Sequence, residues 1–234
     1  MTTRNLCGFT IPAVELSVAA VVQFSLLVSL SVTVGLHPVG WLVGVAFGIG
    51  TWLLLVVGMR GARSLGAANI VTLARTILIG GVTALVTDSI NHHVPMVVVI
   101  ALASVALALD AVDGYVARNT GTTTRLGARF DMEADAFLIL VLSGYVALTL
   151  GPWVLAIGLM RYAFVAVGRL LPWLRASLPP TFPRKVVAAT QGIVLAVVGT
   201  GFLPTPVAVL LVALALAALV WSFGRDIAWL WRRK

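Results

Sequence analysis

Along most of the chain, apolar residues do not alternate with polar ones. They run on in long stretches, and the polar residues collect between them. A helix needs roughly 20 largely apolar residues to cross about 30 Å of hydrocarbon. Windows of that kind fall at 12–36, 39–59, 68–87, 94–117, 127–150, 151–174, 186–203 and 205–223. Their edges carry residues that end helices, among them His37-Pro38, Asn91-His92-His93 before Pro95, Gly151-Pro152, Pro179-Pro180, and Pro204 with Pro206. Barrel strands would alternate over about ten residues, whereas Val39 to Met59 runs without a charge. Only helices or closed barrels satisfy every backbone group in lipid. The pattern therefore predicts an all-α integral membrane protein, a helical bundle of eight transmembrane helices.

Composition agrees. Of 234 residues, 60% are hydrophobic and 10% charged, and the mean hydropathy is +1.07, whereas soluble domains carry roughly 25% charged residues. A soluble domain is excluded, and a single cysteine, Cys7, excludes an internal disulfide. The first apolar segment is about twice the usual 7–15-residue signal-peptide core and runs straight into a second span, so it is expected to be retained.

Charge then fixes an orientation. If the spans alternate direction, all 16 Lys and Arg fall on one side, in the N-terminus, 60–67, 118–126, 175–185, 224–234 and the helices leading into them. This is the positive-inside pattern, and it predicts a protein of the cytoplasmic (inner) membrane with both termini and those loops in the cytoplasm. The net charge of +8 then reflects topology and attraction to anionic membrane lipids. With no soluble basic domain or aromatic platform, no nucleic-acid partner is expected. Residues 1–60 form a transmembrane hairpin whose notable polar side chains are Arg4, Glu15 and Gln23, and its expected role is packing. The chemistry lies in 61–234. His92 and His93, in a short external connection, are expected to be solvated.

Five of the eight acids, Asp110, Asp113, Asp131, Glu133 and Asp135, fall within 26 residues at a cytoplasmic helix–loop–helix. A carboxylate at membrane depth costs about 2.5–3.5 kcal/mol, so such a cluster points to function. Asp110 and Asp113 are spaced i,i+3 and Asp131 and Asp135 i,i+4, which places each pair on one helix face. Glu133 should point away from that face. Two facing pairs make a bowl of four carboxylates, which repel one another unless cations or protons enter. Oxygen-only ligands favour Mg²⁺, Mn²⁺ or Ca²⁺ over zinc, and two such ions about 3.5–4 Å apart could clamp a phosphoryl or pyrophosphate group. Gly114, Ala117 and Gly127 leave the approach open, and Arg118 offers a fork of donors suited to phosphate oxygens.

Written out, Asp110-x2-Asp113-Gly114-x2-Ala117-Arg118-x8-Gly127-x3-Asp131-x3-Asp135 resembles the CDP-alcohol phosphotransferase signature at every specified position. Asn69-x2-Thr72-x2-Arg75 at the start of the preceding helix resembles a second family feature, with Ala68 where a proline is frequent. The likeness covers about 68–225, a six-helix core, and leaves the N-terminal hairpin outside.

The resemblance implies an enzyme of phospholipid synthesis that moves a phosphatidyl group from a CDP-linked lipid, here CDP-diacylglycerol, to an acceptor hydroxyl and releases CMP. By position, Asp110, Asp113 and Asp131 would hold two divalent cations, Mg²⁺ or Mn²⁺, with Asp135 as catalytic base and further ligand. Asn69, Thr72, Asp113, Gly114, Ala117, Arg118 and Gly127 would receive the CDP moiety. A homodimer is implied as well. No Ser or Cys is placed to form a covalent intermediate, so direct displacement is expected.

Arg161 inside the sixth span is costly unless it meets an anion, which makes it a candidate for an acceptor pocket with Arg184 and Lys185. Relatives with phosphorylated acceptors often carry Lys-x-Lys-Thr where this chain has Lys185-Val186-Val187-Ala188. The rival reading is an ion- or proton-coupled transporter using the same aspartates.

Overall fold

In a computed structural model, the backbone is described for residues 10–58, 67–120, 125–175 and 182–232, and the side chains for 16–57, 70–110, 127–171, 173–174 and 183–232. Eight α-helices are present: α1 Thr10–Val34, α2 Pro38–Gly58, α3 Ala67–Asp88, α4 Met96–Thr120, α5 Arg125–Leu150, α6 Leu155–Leu170, α7 Phe182–Gly199 and α8 Thr205–Trp231. Among the described residues, α1, α2, α3, α5, α6 and α8 contain segments long and apolar enough to cross a membrane. In α4 the described residues include the apolar stretch Met96–Asp110. There is no strand among the described residues, and the protein is an integral membrane helical bundle. Large side chains on the helix faces are open to the surroundings, with Val32 82%, Leu42 70% and Leu54 69% exposed. Water would penalise such faces, whereas lipid tails do not.

Contacts divide the chain into two units, 1–135 and 136–234. In the first, α3 is the central helix: 56% of its spanning residues are buried against 17% for α1 and for α2. Ile79, Val82, Ala84 and Leu85 are fully buried, and α4 lays Val99, Ala103 and Ala106 into the core, the i,i+4,i+7 stripe of one helix face. The hairpin seats on α3 through small residues. A Cβ added at Gly44 would stand 3.2 Å from the Ala84 Cβ, and one at Gly80 2.6 Å from the Gln23 Nε2, so the helices approach closely at both glycines. The α1–α2 turn is made by Gly35 at φ +79°, whose N–H donates to the Ser31 carbonyl at 3.1 Å and closes the helix end.

At the far end of α3, the expectation of solvated histidines holds for His93, which is exposed, and fails for His92. The His92 Nδ1 lies 3.2 Å from Asp88 Oδ1, and its ring stacks on that of His37. The approach of the α1–α2 connection, which no sequence window contains, brings this about.

The second unit begins within α5. Gly151, at φ +99°, turns the chain into a 3-10 turn at Pro152–Val154 and then α6. In α7, Gln191 Nε2 donates to the Ala215 carbonyl of α8 at 3.1 Å, a polar contact that joins the two helices inside the bundle. Gly158 of α6 lies hard against α5: an added Cβ would stand 2.5 Å from both the Leu140 Cα and the Ser143 Oγ. The serine can turn, but the Leu140 backbone cannot. Gly158→Ala is expected to cost about 1–3 kcal/mol by overpacking, read as a lowered unfolding temperature in detergent. An unchanged midpoint would show that α6 can move away from α5.

Candidate active site

The site is built by three helices of the first unit around one arginine. Arg75, two turns into α3, is fully buried. Its Nη1 donates to Asp110 Oδ1 of α4 at 2.8 Å and lies 2.8 Å from Asp131 Oδ1 of α5. Its Nη2 donates to Asp135 Oδ1 at 2.5 Å and to the Asp131 carbonyl at 3.2 Å. Burying a guanidinium costs several kcal/mol, and the charge-assisted contacts to three carboxylates offset that cost. A planar fork can hold four oxygens at once, which a lysine ammonium cannot.

The carboxylates themselves are far more open than the arginine, with side chains 44%, 35% and 38% exposed for Asp110, Asp131 and Asp135. Arg75 therefore grips the cluster from its buried side and leaves the other side accessible. The i,i+4 spacing of Asp131 and Asp135 places both on the face of α5 turned to α3 and α4, as the sequence predicts. Glu133 is exposed and does not join the cluster.

One oxygen from each of Asp110, Asp131 and Asp135 can be chosen so that all lie within 4.8 Å of one another. Three carboxylates against one guanidinium give the cluster a formal charge of −2. Its accessible donors are hard oxygens, the set that suits Mg²⁺ or Mn²⁺, so these residues fit a divalent cation.

The structure thus brings together three of the four predicted bowl residues. Asp113 lies on the α4 backbone three residues after Asp110, but its side chain falls outside the described residues, as do those of Asn69, Ala117 and Arg118 and the surroundings of Gly114. Thr72 is buried one turn before Arg75, and its carbonyl accepts the Thr76 hydroxyl at 2.7 Å. Gly127 lies one turn before Asp131, partly exposed. The predicted acceptor residues belong to the second unit. Arg161 is half-buried on α6 and Lys185 is exposed on α7. Arg184 Nε lies 3.6 Å from Asp226 Oδ2 of α8, so an ion pair within the unit already engages it.

What sequence reasoning underrated is Arg75, noted there only as part of a motif. The available signal was an arginine inside an apolar span, which has to find anions. Comparison with curated proteins and with solved structures gives no match. The family model for CDP-alcohol phosphatidyltransferase matches residues 65–223, which begins past the hairpin and contains the whole carboxylate cluster. The chain belongs to the CDP-alcohol phosphatidyltransferase family, membrane enzymes that transfer a phosphatidyl group from a CDP-alcohol to a hydroxyl acceptor.

Proposed function

We propose that the protein uses CDP-diacylglycerol as donor and passes its phosphatidyl group directly to an acceptor hydroxyl, releasing CMP. The observation that carries this reading is the Arg75-centred carboxylate cluster, open on one side and chemically suited to divalent cations. Asp110, Asp113, Asp131 and Asp135 would hold Mg²⁺ or Mn²⁺. When bound, such ions supply charge neutralisation and polarise a pyrophosphate.

The remaining work falls to the chain itself. Arg75 fixes one oxygen of each of three aspartates, so their other oxygens keep a set direction without reorganising during reaction. Asp135, held by Arg75 through Oδ1, would accept the proton of the attacking hydroxyl. Asn69, Thr72, Gly114, Ala117, Arg118 and Gly127 would receive the CDP moiety. Arg161, Arg184 and Lys185 would serve the acceptor, with Arg184 exchanging its Asp226 partner for an anion. The positive-inside pattern supports a cytoplasmic site in the inner membrane, where cytidine nucleotides are found. A homodimer completes the proposal on family likeness.

The test is CMP release by the purified full-length protein with CDP-diacylglycerol, Mg²⁺ or Mn²⁺, and a panel of glycerol phosphate, inositol phosphate, serine, inositol and phosphatidylglycerol. CMP appearing only with donor, metal and one acceptor together is the expected result. A folded sample that releases none with any acceptor, and instead drives ion flux in vesicles, would overturn the proposal in favour of a transporter.

A further inference from the structure

Asp88 ends α3, 13 residues after Arg75 and so about 20 Å along the helix from the carboxylate cluster at 1.5 Å per residue. Its side chain is 2% exposed. His37, at the α1–α2 connection, lies with Nδ1 3.1 Å from Asp88 Oδ2, and its backbone N–H donates to the same oxygen at 3.3 Å. His92, from the α3–α4 connection, lies with Nδ1 3.2 Å from Asp88 Oδ1. The two imidazoles stack, with centroids 3.5 Å apart and planes within 4°. Among the described residues no lysine or arginine pairs with Asp88, and residues 76–117 contain none in sequence. A buried carboxylate is thus compensated only by two histidines.

A single divalent ion shared by the three side chains would compensate the carboxylate directly. Two neutral imidazole nitrogens and a carboxylate oxygen form a donor set for zinc and neighbouring transition ions, and unlike the all-oxygen cluster they do not favour magnesium. Ligand atoms around one tetrahedral zinc stand about 3.4 Å apart, given Zn–N of about 2.0–2.1 Å. Each Nδ1 is already 3.1 or 3.2 Å from one or the other oxygen of Asp88, and one donor atom from each residue can be chosen with all three within 4.8 Å of one another. The histidine side chains are 45% and 36% exposed, which gives the rings room to turn toward an ion and lets water supply a fourth ligand.

We infer that His37, Asp88 and His92 form a binding site for a divalent transition-metal ion of the zinc class, at the end of α3 opposite the phosphotransfer site. Occupied, it would tie the N-terminal hairpin, outside the family match, to the core helices α3 and α4.

The probe is Zn²⁺ itself, titrated by calorimetry into tag-free full-length protein in detergent, with excess Mg²⁺ present to occupy the all-oxygen cluster. Co²⁺ serves as a spectroscopic substitute. The expected result is one Zn²⁺ per chain, visible Co²⁺ bands of a four-coordinate nitrogen-containing site, and a higher unfolding temperature with Zn²⁺. His37→Ala and His92→Ala, both at accessible positions, should each weaken Zn²⁺ by at least the about 10–100-fold seen when a ligand's supporting partner is lost. The double variant should lose the Co²⁺ bands and the thermal shift while still releasing CMP. If the wild type takes up no Zn²⁺ under these conditions, or the double variant takes it up equally, Asp88 is held by hydrogen bonds alone and the site does not exist.

Discussion

Asp135→Asn is expected to lower the rate of CMP release by at least about 10²–10⁴, the range that a positioned general base contributes, while leaving the protein folded. The asparagine keeps the shape of the side chain, and its amide oxygen can still accept from Arg75 Nη2, which now meets Asp135 Oδ1 at 2.5 Å. What disappears is the negative charge, and with it both proton acceptance and cation binding. Asp131→Asn should be as severe, since the Asp131 carboxylate shares Arg75 Nη1 with Asp110, and Asp110→Asn should in addition weaken binding of Mg²⁺ or Mn²⁺. Glu133→Gln is the internal control: it sits between the two critical aspartates in sequence but is exposed and outside the cluster, so its rate should stay near wild type. Turnover measured alongside unfolding temperature separates loss of chemistry from loss of fold. A near-normal rate in Asp135→Asn would remove this residue as the base.

The parts of this protein that are legible in its sequence are those governed by local period. Each of the eight apolar stretches corresponds to a helix, and for the six long and apolar enough to span among the described residues, lipid leaves the backbone no open alternative. The pairing of Asp131 with Asp135 followed from one helical repeat. Arg75 was visible as a residue, but its role was not, because which side of α3 it takes depends on α4 and α5 closing over it. The grouping of His37 with Asp88 and His92 joins positions 51 residues apart, and nothing near either histidine in sequence announces the other. A clue did exist: Asp88 is the one acid at the charge-poor end of the spans, with His92 four residues on. The close seat of Gly158 on Leu140 was unreadable for the same reason as Arg75, since a glycine in an apolar span signals close approach without naming the partner.

Arg75→Ala should destabilise the metal-free protein strongly and make its stability depend on divalent cations. Removing one partner of a buried ion pair costs about 3–5 kcal/mol. Here the arginine is the buried member, and the aspartates, more than a third exposed, can be rehydrated, so the loss should fall toward the lower end of that range. Two effects remain: a cavity where the guanidinium packed, and three carboxylates with oxygens within 4.8 Å of one another that no longer share a counter-charge. A hard cation can relieve the second effect but not the first. Adding Mg²⁺ should therefore raise the unfolding temperature of Arg75→Ala more than that of the wild type, without restoring it fully. Arg75→Lys keeps the charge but cannot span Asp110, Asp131 and Asp135 together, so it should recover part of the metal-free stability and little of the activity, because the aspartate oxygens are no longer aimed. If Arg75→Ala unfolds at the wild-type temperature and responds no more to Mg²⁺, the arginine does not hold the carboxylates together, and their spacing is set by the three helices alone.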